Sequence, residues 1–172
     1  MEQTDARLIG AARNGDVAAF RVLYERHWRM AVGIAFSSVR DRHLAEDAAQ
    51  EAFAIACRKL ASLRDGDRFA QWLGAICRRT AKRLRRRQRS HEPMDANQPA
   101  VENEGSALSQ AAVTEAIDRL ASSAREVVLL HYFSNLSYEE IAQALGISTP
   151  SVHGLLQRAR RKLAELLRSE RS

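Results

Sequence analysis

The stretch Leu136–Lys162, LSYEEIAQALGISTPSVHGLLQRARRK, decides how the chain is read. Ser137 is followed three residues on by Glu140. That is the spacing of a capping box, in which hydroxyl and carboxylate each satisfy a backbone N–H at a helix start. Ile141, Ala142 and Leu145 then recur at helical spacing. Gly146 supplies a turn, because it takes a positive φ without a Cβ clash. Ser148 is placed to cap a second helix, with Pro150 tolerated in its first turn. Val152, Leu155, Leu156, Ala159 and Leu163 give that helix an inward stripe, while Arg158, Arg160, Arg161 and Lys162 make it basic. The pattern predicts a helix-turn-helix whose second helix lies beside phosphates and base edges of DNA. A plain helical hairpin with a solvated basic face would satisfy the periodicity alone. The box, the glycine and the basic helix together favour DNA.

The composition agrees with a nucleic-acid partner. The 172 residues carry a formal net charge of +6, a balance that favours polyanions. That charge is unevenly spread: net +9 over residues 1–90, −5 over 91–123 and +2 over 124–172. Hydrophobic content of 45% is enough for a buried core, so the chain as a whole is not a disordered one. Cys57 and Cys77 sit among apolar residues with no second cysteine or histidine at ligand spacing. They read as small core hydrophobes in a reducing compartment, and neither a metal nor a cofactor is expected. No apolar run approaches membrane-spanning length and no signal-peptide pattern opens the chain. A cytoplasmic protein without membrane insertion is therefore expected.

Working back towards the N-terminus, helical patterns follow one another without strands or repeats. Residues 4–13 read as a short helix that Asn14-Gly15-Asp16 ends, with Asp16 placed to cap the next. A stripe of Phe20, Leu23, Tyr24, Trp28, Ala31 and Ala35 carries a second helix to about Ser37. A third is expected from about His43 to Leu63, ended by Asp65-Gly66-Asp67. A fourth begins near Phe69 and passes through Trp72, Leu73, Ile76 and Leu84. The segment SHEPMDANQPAVENEGS has two prolines, several carboxylates and few apolar residues, and reads as a flexible linker. Pattern returns at Leu108, continues through Ala112, Ala116 and Leu120, and a further helix carries Val127 to Leu130. The fold expected is all-α: a domain over residues 1–90, an acidic linker over 91–107, and a helix-turn-helix domain over 108–172.

Three further stretches carry chemistry. LAEDAAQEAFAIACRKL, Leu44–Leu60, has an apolar stripe of Ala48, Ala52, Ile55, Ala56 and Leu60 opposite Glu46, Asp47, Gln50 and Glu51. In a basic domain that acidic face is either solvated surface or a docking site for a basic protein. FAQWLGAICRR, Phe69–Arg79, sets aromatics beside arginines, which suits stacked single-stranded bases, although Phe69 and Trp72 also fit a core. KRLRRRQR, Lys82–Arg89, offers phosphate contacts.

These stretches resemble, in their order, the extracytoplasmic-function (ECF) sigma factors of bacterial RNA polymerase, within the sigma-70 family. EDAAQEAF, Glu46–Phe53, resembles the family's polymerase-binding helix, and FAQWLGAICRRTAKRL resembles the helix that lines the opened promoter. LASSAREVVLLHYFSNLSYEEIAQALGISTPSVHGLLQRARRKL closely resembles the C-terminal domain. The resemblance covers about Asp16–Arg89 and Leu108–Leu167. It implies a factor that directs polymerase to promoters, contacting the β′ clamp helices and β flap of core RNA polymerase, and that is not itself an enzyme. It also implies an anti-sigma protein as a further partner. By position, Asp47, Gln50, Glu51 and Phe53 fall on the polymerase-binding motif. Leu63, Arg64, Asp65, Arg68 and Phe69 fall on the loop that captures an unstacked base of the −10 element, with Trp72, Arg79, Arg83 and Arg86 on the helix that follows. Ser148, Thr149, Ser151, His153, Gly154, Leu155, Gln157, Arg158 and Arg161 fall where the −35 element is read. The chain departs from the pattern at Arg79, commonly Asn, at His153, commonly Lys or Arg, and at Leu155, commonly Arg. These departures imply altered −10 and −35 preferences.

Three other readings compete, of which an adaptor that merely sequesters partners fits poorly with the two basic blocks. A helix-turn-helix regulator that binds an operator without polymerase would leave the acidic helix and the Trp72 segment unused. An enzyme acting on nucleic acid would need a catalytic cluster, and no GxxxxGK[ST], HExxH or comparable motif is present.

Overall fold

The structure is a computed structural model and describes residues 3–91 and 110–169. Every regular element among them is helical. The first group comprises α1 (Asp5–Arg13), α2 (Val17–Val39), α3 (Arg42–Lys59) and α4 (Phe69–His91). The second comprises α5 (Gln110–Asp118), α6 (Ser122–Val128), α7 (Tyr138–Leu145) and α8 (Thr149–Ser169). All but the first residue of the expected linker, 91–107, lies outside the described residues.

Local chemistry sets most helix starts. Thr4 accepts from the Arg7 N–H, Asp16 from Ala19 and Asp41 from Leu44, so each side chain satisfies an N–H that the first turn leaves free. The third helix stops short of the expected Leu63. It gives way after Lys59 to a 3-10 turn over Leu60–Ser62, and the Leu63 N–H closes back on the Leu60 carbonyl. In the second group Ser137 and Glu140 form the complete capping box. Gly146 ends α7 in the left-handed region at φ 67°, and the Ser151 N–H is 3.3 Å from Ser148 Oγ. Leu129–Phe133 extends α6 as a wide π-type turn.

Helix α3 packs through alanines. Ala45, Ala48, Ala49, Ala52 and Ala56 are all fully buried, and small side chains let α2 and α4 come close while favouring helix. Leu23, Ile34, Phe69, Leu73 and Cys77 fill the centre. Phe53 closes one side in a ring cluster with Phe20, Tyr24 and Trp28. The second group buries Val127, Leu130, Ile141, Val152, Leu156 and Ala159.

The groups also pack on each other. The Arg29 guanidinium donates to the Ser134 carbonyl at 2.7 and 3.1 Å and to the Asn135 carbonyl at 2.6 Å. Arg78 Nε donates to Glu126 Oε1 at 2.8 Å. Phe36 and Phe133 stack with ring centres 4.3 Å apart.

Candidate functional site

Three surfaces gather the residues that the sequence singles out. The first is the outer face of α3. Asp47 and Gln50 are exposed there, one turn apart, while Ala45, Ala48, Ala49 and Ala52 hold the helix from beneath. Glu46 lies 3.1 Å from Arg42 Nε, and Glu51 accepts a hydrogen bond from Arg83. The acidic face is thus partly paired within the chain, with Asp47 and Gln50 pointing outwards. Phe53 is not on this surface. It is 3% exposed, because it falls on the inner stripe of α3 where the aromatic cluster takes up its ring.

The second surface is the loop after α3 and the cleft between α3 and α4. Arg64, Asp65 and Arg68 are exposed on the loop. Asp65 Oδ1 accepts from the Asp67 N–H at 3.0 Å, which folds the segment into a short turn. Leu63 and Phe69 lie beneath it; Phe69 is fully buried, its ring 5.2 Å from that of His27. These two apolar side chains anchor the loop to the core, and the polar residues between them form its surface. Beside the loop is a cleft of about 440 Å³, lined by Ile55, Lys59, Ser62, Trp72, Arg79 and Arg83 among others. Trp72 is half-buried, neither core nor free surface. Arg86 is exposed further along α4. An indole edge with cations at its rim can stack a base and hold its phosphate. Ile55, Lys59 and Ser62 were not singled out by sequence. Their signal is the i, i+4 spacing that puts Ile55 and Lys59 on one face of α3, and it becomes informative only once α4 is known to face them.

The third surface is α8. Ser151, His153, Gln157, Arg158 and Arg161 are exposed, Ser148 is exposed just ahead of the helix, and Thr149 and Gly154 are half-buried. A methyl group added at Gly154 would meet only the Arg158 guanidinium, at 3.4 Å, so this part of the helix is open to close approach. Val152, Leu156 and Ala159 are buried and fix the helix orientation. Leu155 is half-buried, which suits its inward position in the stripe. Arg160 turns away from the other basic side chains: its Nε donates to the Tyr132 hydroxyl at 2.7 Å. Tyr132 and Tyr138, which hold it, were not singled out by sequence.

Cys57 is exposed on α3, against the reading of both cysteines as core, whereas Cys77 is buried; burial pushes the Cys77 thiol up to about 12, so it stays protonated, in keeping with a structural role. Among the described residues no cluster of histidine, cysteine and carboxylates has the form of a metal site, and no helix is long and apolar enough to cross a membrane.

Comparison with known proteins bears on these surfaces. Residues 23–91 match the family described as Sigma-70 region 2, and residues 110–163 match Sigma-70, region 4. The chain is 32% identical over 177 residues to the RNA polymerase sigma factor NccH of Alcaligenes xylosoxydans xylosoxydans, covering 96% of this chain and 95% of that protein. It is 30% identical over 168 residues to the ECF RNA polymerase sigma factor SigM of Mycobacterium tuberculosis, covering 96% and 86%. CnrH, solved in complex with the cytosolic domain of CnrY, is similar with a TM-score of 0.64 at 29% identity, over 97% of this chain and 99% of that one. RpoE of Bartonella quintana, solved with the anti-sigma factor NepR, gives 0.58 at 25% identity, over 88% and 98%.

Proposed function

We propose how the work is divided among the three surfaces, from the premise that this chain belongs to the sigma-70 family of RNA polymerase sigma factors, in its ECF group. A sigma factor directs polymerase to promoters and is not itself catalytic. In this reading the first group of helices forms a domain that docks on core polymerase and reads the −10 element, and the second forms a domain that reads the −35 element.

Asp47 and Gln50, with Glu51 at the edge, meet the β′ clamp helices. The charge sign supports this, since an acidic face on a basic chain repels DNA and attracts a basic protein surface. The Arg64–Arg68 loop and the Trp72 cleft take an unstacked −10 base and its flanking phosphates, with Arg79, Arg83 and Arg86 supplying the cations. Ser148, Thr149, Ser151, His153, Gly154, Gln157, Arg158 and Arg161 lie along the −35 major groove. Gln157 can pair bidentately with adenine, and Arg158 with guanine or a phosphate. The second group also offers the β flap a surface, at the exposed Tyr132 and Phe133. An anti-sigma protein is a further partner in this reading, supported by the NepR complex of the similar RpoE.

The observation that carries the proposal is the opposition of faces on one chain: the outward Asp47 and Gln50, with Glu51 at their edge, on α3 against basic faces on α4 and α8. The test is run-off transcription with core polymerase. Reversing Asp47 and Glu51 to arginine is expected to abolish core binding and promoter-dependent transcripts while helicity and melting stay near wild type. Normal core binding by that double variant would move the docking surface elsewhere.

A further inference from the structure

Arg160 does not lie on the face that its charge suggests. A helix turns about 100° per residue, so Arg160 projects about 200° away from Arg158 and falls in line with His153, about two turns before it. Ser151, Gly154, Arg158 and Arg161 carry the proposed reading face of α8, and Val152, Leu156 and Ala159 its buried one. Arg160 and His153 run along the flank of that buried stripe.

The flank is filled by aromatic rings. Arg160 Nε donates to the Tyr132 hydroxyl at 2.7 Å, and Nη2 of the same guanidinium stands 3.5 Å from the Tyr138 hydroxyl. The Tyr138 ring meets the His153 ring, with centres 6.0 Å apart. His131 is edge-on to both tyrosines, 4.8 Å from the Tyr132 ring and 5.2 Å from that of Tyr138.

Backbone geometry delivers Tyr132 to this place. Leu129–Phe133 is a π-type turn, closed by the Ser134 N–H on the Leu129 carbonyl at 3.1 Å. Such turns hold an extra residue and concentrate at functional sites. Here the turn sends Tyr132 to α8 and Phe133 to Phe36 on α2.

One side chain therefore ties three elements: α8, the turn that extends α6, and α7. Every buried residue of α8 is apolar, and hydrophobic contact is non-directional, so it sets the roll of the helix loosely. Hydrogen bonds prefer angles above about 150°, and a guanidinium presents its N–H groups as a fixed fork.

We propose that Arg160, held by Tyr132 and Tyr138, is a positioning residue for −35 reading. It fixes the roll of α8 and so aims Gly154, Gln157 and Arg158 at the base edges, without itself touching DNA. The proposal rests on the assignment of the −35 element to α8. A bidentate base contact needs both of its hydrogen bonds aligned. A rolled helix therefore loses discrimination while its charges still meet phosphates.

The test uses the full chain with core polymerase. Run-off transcripts are compared from two promoters that differ only in an intact or a scrambled −35 element. Their ratio cancels changes in core binding or in overall stability, which lower both alike. Arg160→Ala and Tyr132→Phe should each cut the ratio several-fold, and Tyr138→Phe by less, its contact being the longer. Arg160→Lys keeps the charge without the fork and should behave as Arg160→Ala does. The double variant Arg160→Ala, Tyr132→Phe should be no worse than Arg160→Ala, because the two act as one unit. The salt slope of promoter binding should stay at its wild-type value throughout. A normal ratio for Arg160→Lys, with Arg160→Ala weakening both promoters and lowering the salt slope by about one unit, would make Arg160 a phosphate contact and overturn the proposal. So would an unchanged ratio for Tyr132→Phe. If the wild type itself makes no distinction between the two promoters, the assignment of the −35 element to α8 falls, and this proposal with it.

Discussion

The N-terminal group draws its stability from long helices over a broad core, whereas the C-terminal group depends on caps and turns. Helices α2 and α4 each run for 23 residues, and α3 for 18. Helices α6 and α7 have only seven and eight, lengths that are not stable in isolation. A capping box, a left-handed glycine and packing against α8 hold them in place. The lesson concerns where DNA-reading parts can sit. In the first group the reading surface is a loop and a cleft laid over a large core. In the second the reading helix is itself a main packing element, so damage to the core and damage to recognition are harder to separate.

The largest expected effect breaks the comparison at the core. Leu73 and Ile141 are both fully buried, and truncating either to alanine removes about 2–5 kcal/mol. Native stability is about 0.05–0.15 kcal/mol per residue, so the described second group, residues 110–169, commands only about 3–9 kcal/mol. Ile141→Ala is therefore expected to melt α7 and α8 while the first group stays folded. Leu73→Ala should lower the stability of the first group without melting it. Both tryptophans, Trp28 and Trp72, report on the first group. Denaturation followed by tryptophan fluorescence and by far-ultraviolet circular dichroism should give separated transitions for Ile141→Ala. Coincident transitions would mean that the contacts between the two groups make them one cooperative unit.

A smaller effect sharpens the comparison at the DNA face. Arg158→Ala should reduce transcription from a −35-dependent promoter, while Arg168→Ala, also exposed but beyond the groove, should change little. A bidentate guanine contact is worth about 1–3 kcal/mol of base discrimination. A phosphate contact would instead weaken all sequences alike and lower the salt slope by about one unit. Matched promoters with and without the −35 element, tested across a salt series, separate the two. No change on either promoter at any salt would show that α8 does not read DNA through this residue.

A third effect belongs to the first group alone. Asp5 ties α1 to α2, with Arg26 Nη1 at 2.5 Å and His27 Nε2 at 2.6 Å from its carboxylate. Burial acts to raise the Asp5 pKa, but the hydrogen bonds and charges of His27 and Arg26 outweigh it and hold the carboxyl below its ordinary value. A depressed carboxyl contributes stability that is complete above the ordinary range, near about pH 4, and is lost as pH falls through the lower folded value. Asp5→Asn should lower stability at pH 7 by about 1.5 kcal/mol, the low end for hydrogen bonds to charged groups. It should also flatten the acid limb of a tryptophan-monitored stability profile. An unchanged acid limb would assign that limb to other carboxylates.

Which features were legible in sequence follows from their range. Asp16, Ser137, Glu140 and Gly146 act on neighbours three or four residues away, and each is found doing what its spacing predicts. Phe53, Leu63 and Phe69 were placed on functional motifs by resemblance, which matches positions but is silent on which way a side chain points. The core takes them because they are apolar, and the polar residues beside them keep the surface. The contact between the groups had no signal at all. Arg29 and Ser134 are 105 residues apart, and Gly33 differs from any helix glycine only through the Ser134 and Leu130 side chains that cover it. Nor did periodicity give the shortening of α3 at Lys59, since a 3-10 turn continues the apolar pattern through Leu60 and Leu63.

The smallest effect tests the claim that local caps matter more where the core is small. Ser137 Oγ accepts from the Glu140 N–H at 3.2 Å, and Glu140 Oε2 accepts from the Ser137 N–H at 2.7 Å. Asp16 makes the matching bond to the Ala19 N–H, 3.0 Å long, at the start of α2. Alanine at either position removes a cap worth about 1 kcal/mol. For α2, with 23 residues packed on α1, α3 and α4, that is a small fraction of what holds the helix. For α7, eight residues long, the cap secures one of barely two turns. Amide exchange on the full chain should therefore show Ser137→Ala raising rates across α7 and the start of α8, and Asp16→Ala raising them only in the first turn of α2. If both alanine variants perturb only their own first turns, α7 is held by its packing on α8, and the capping box contributes no more to the C-terminal group than Asp16 does to α2.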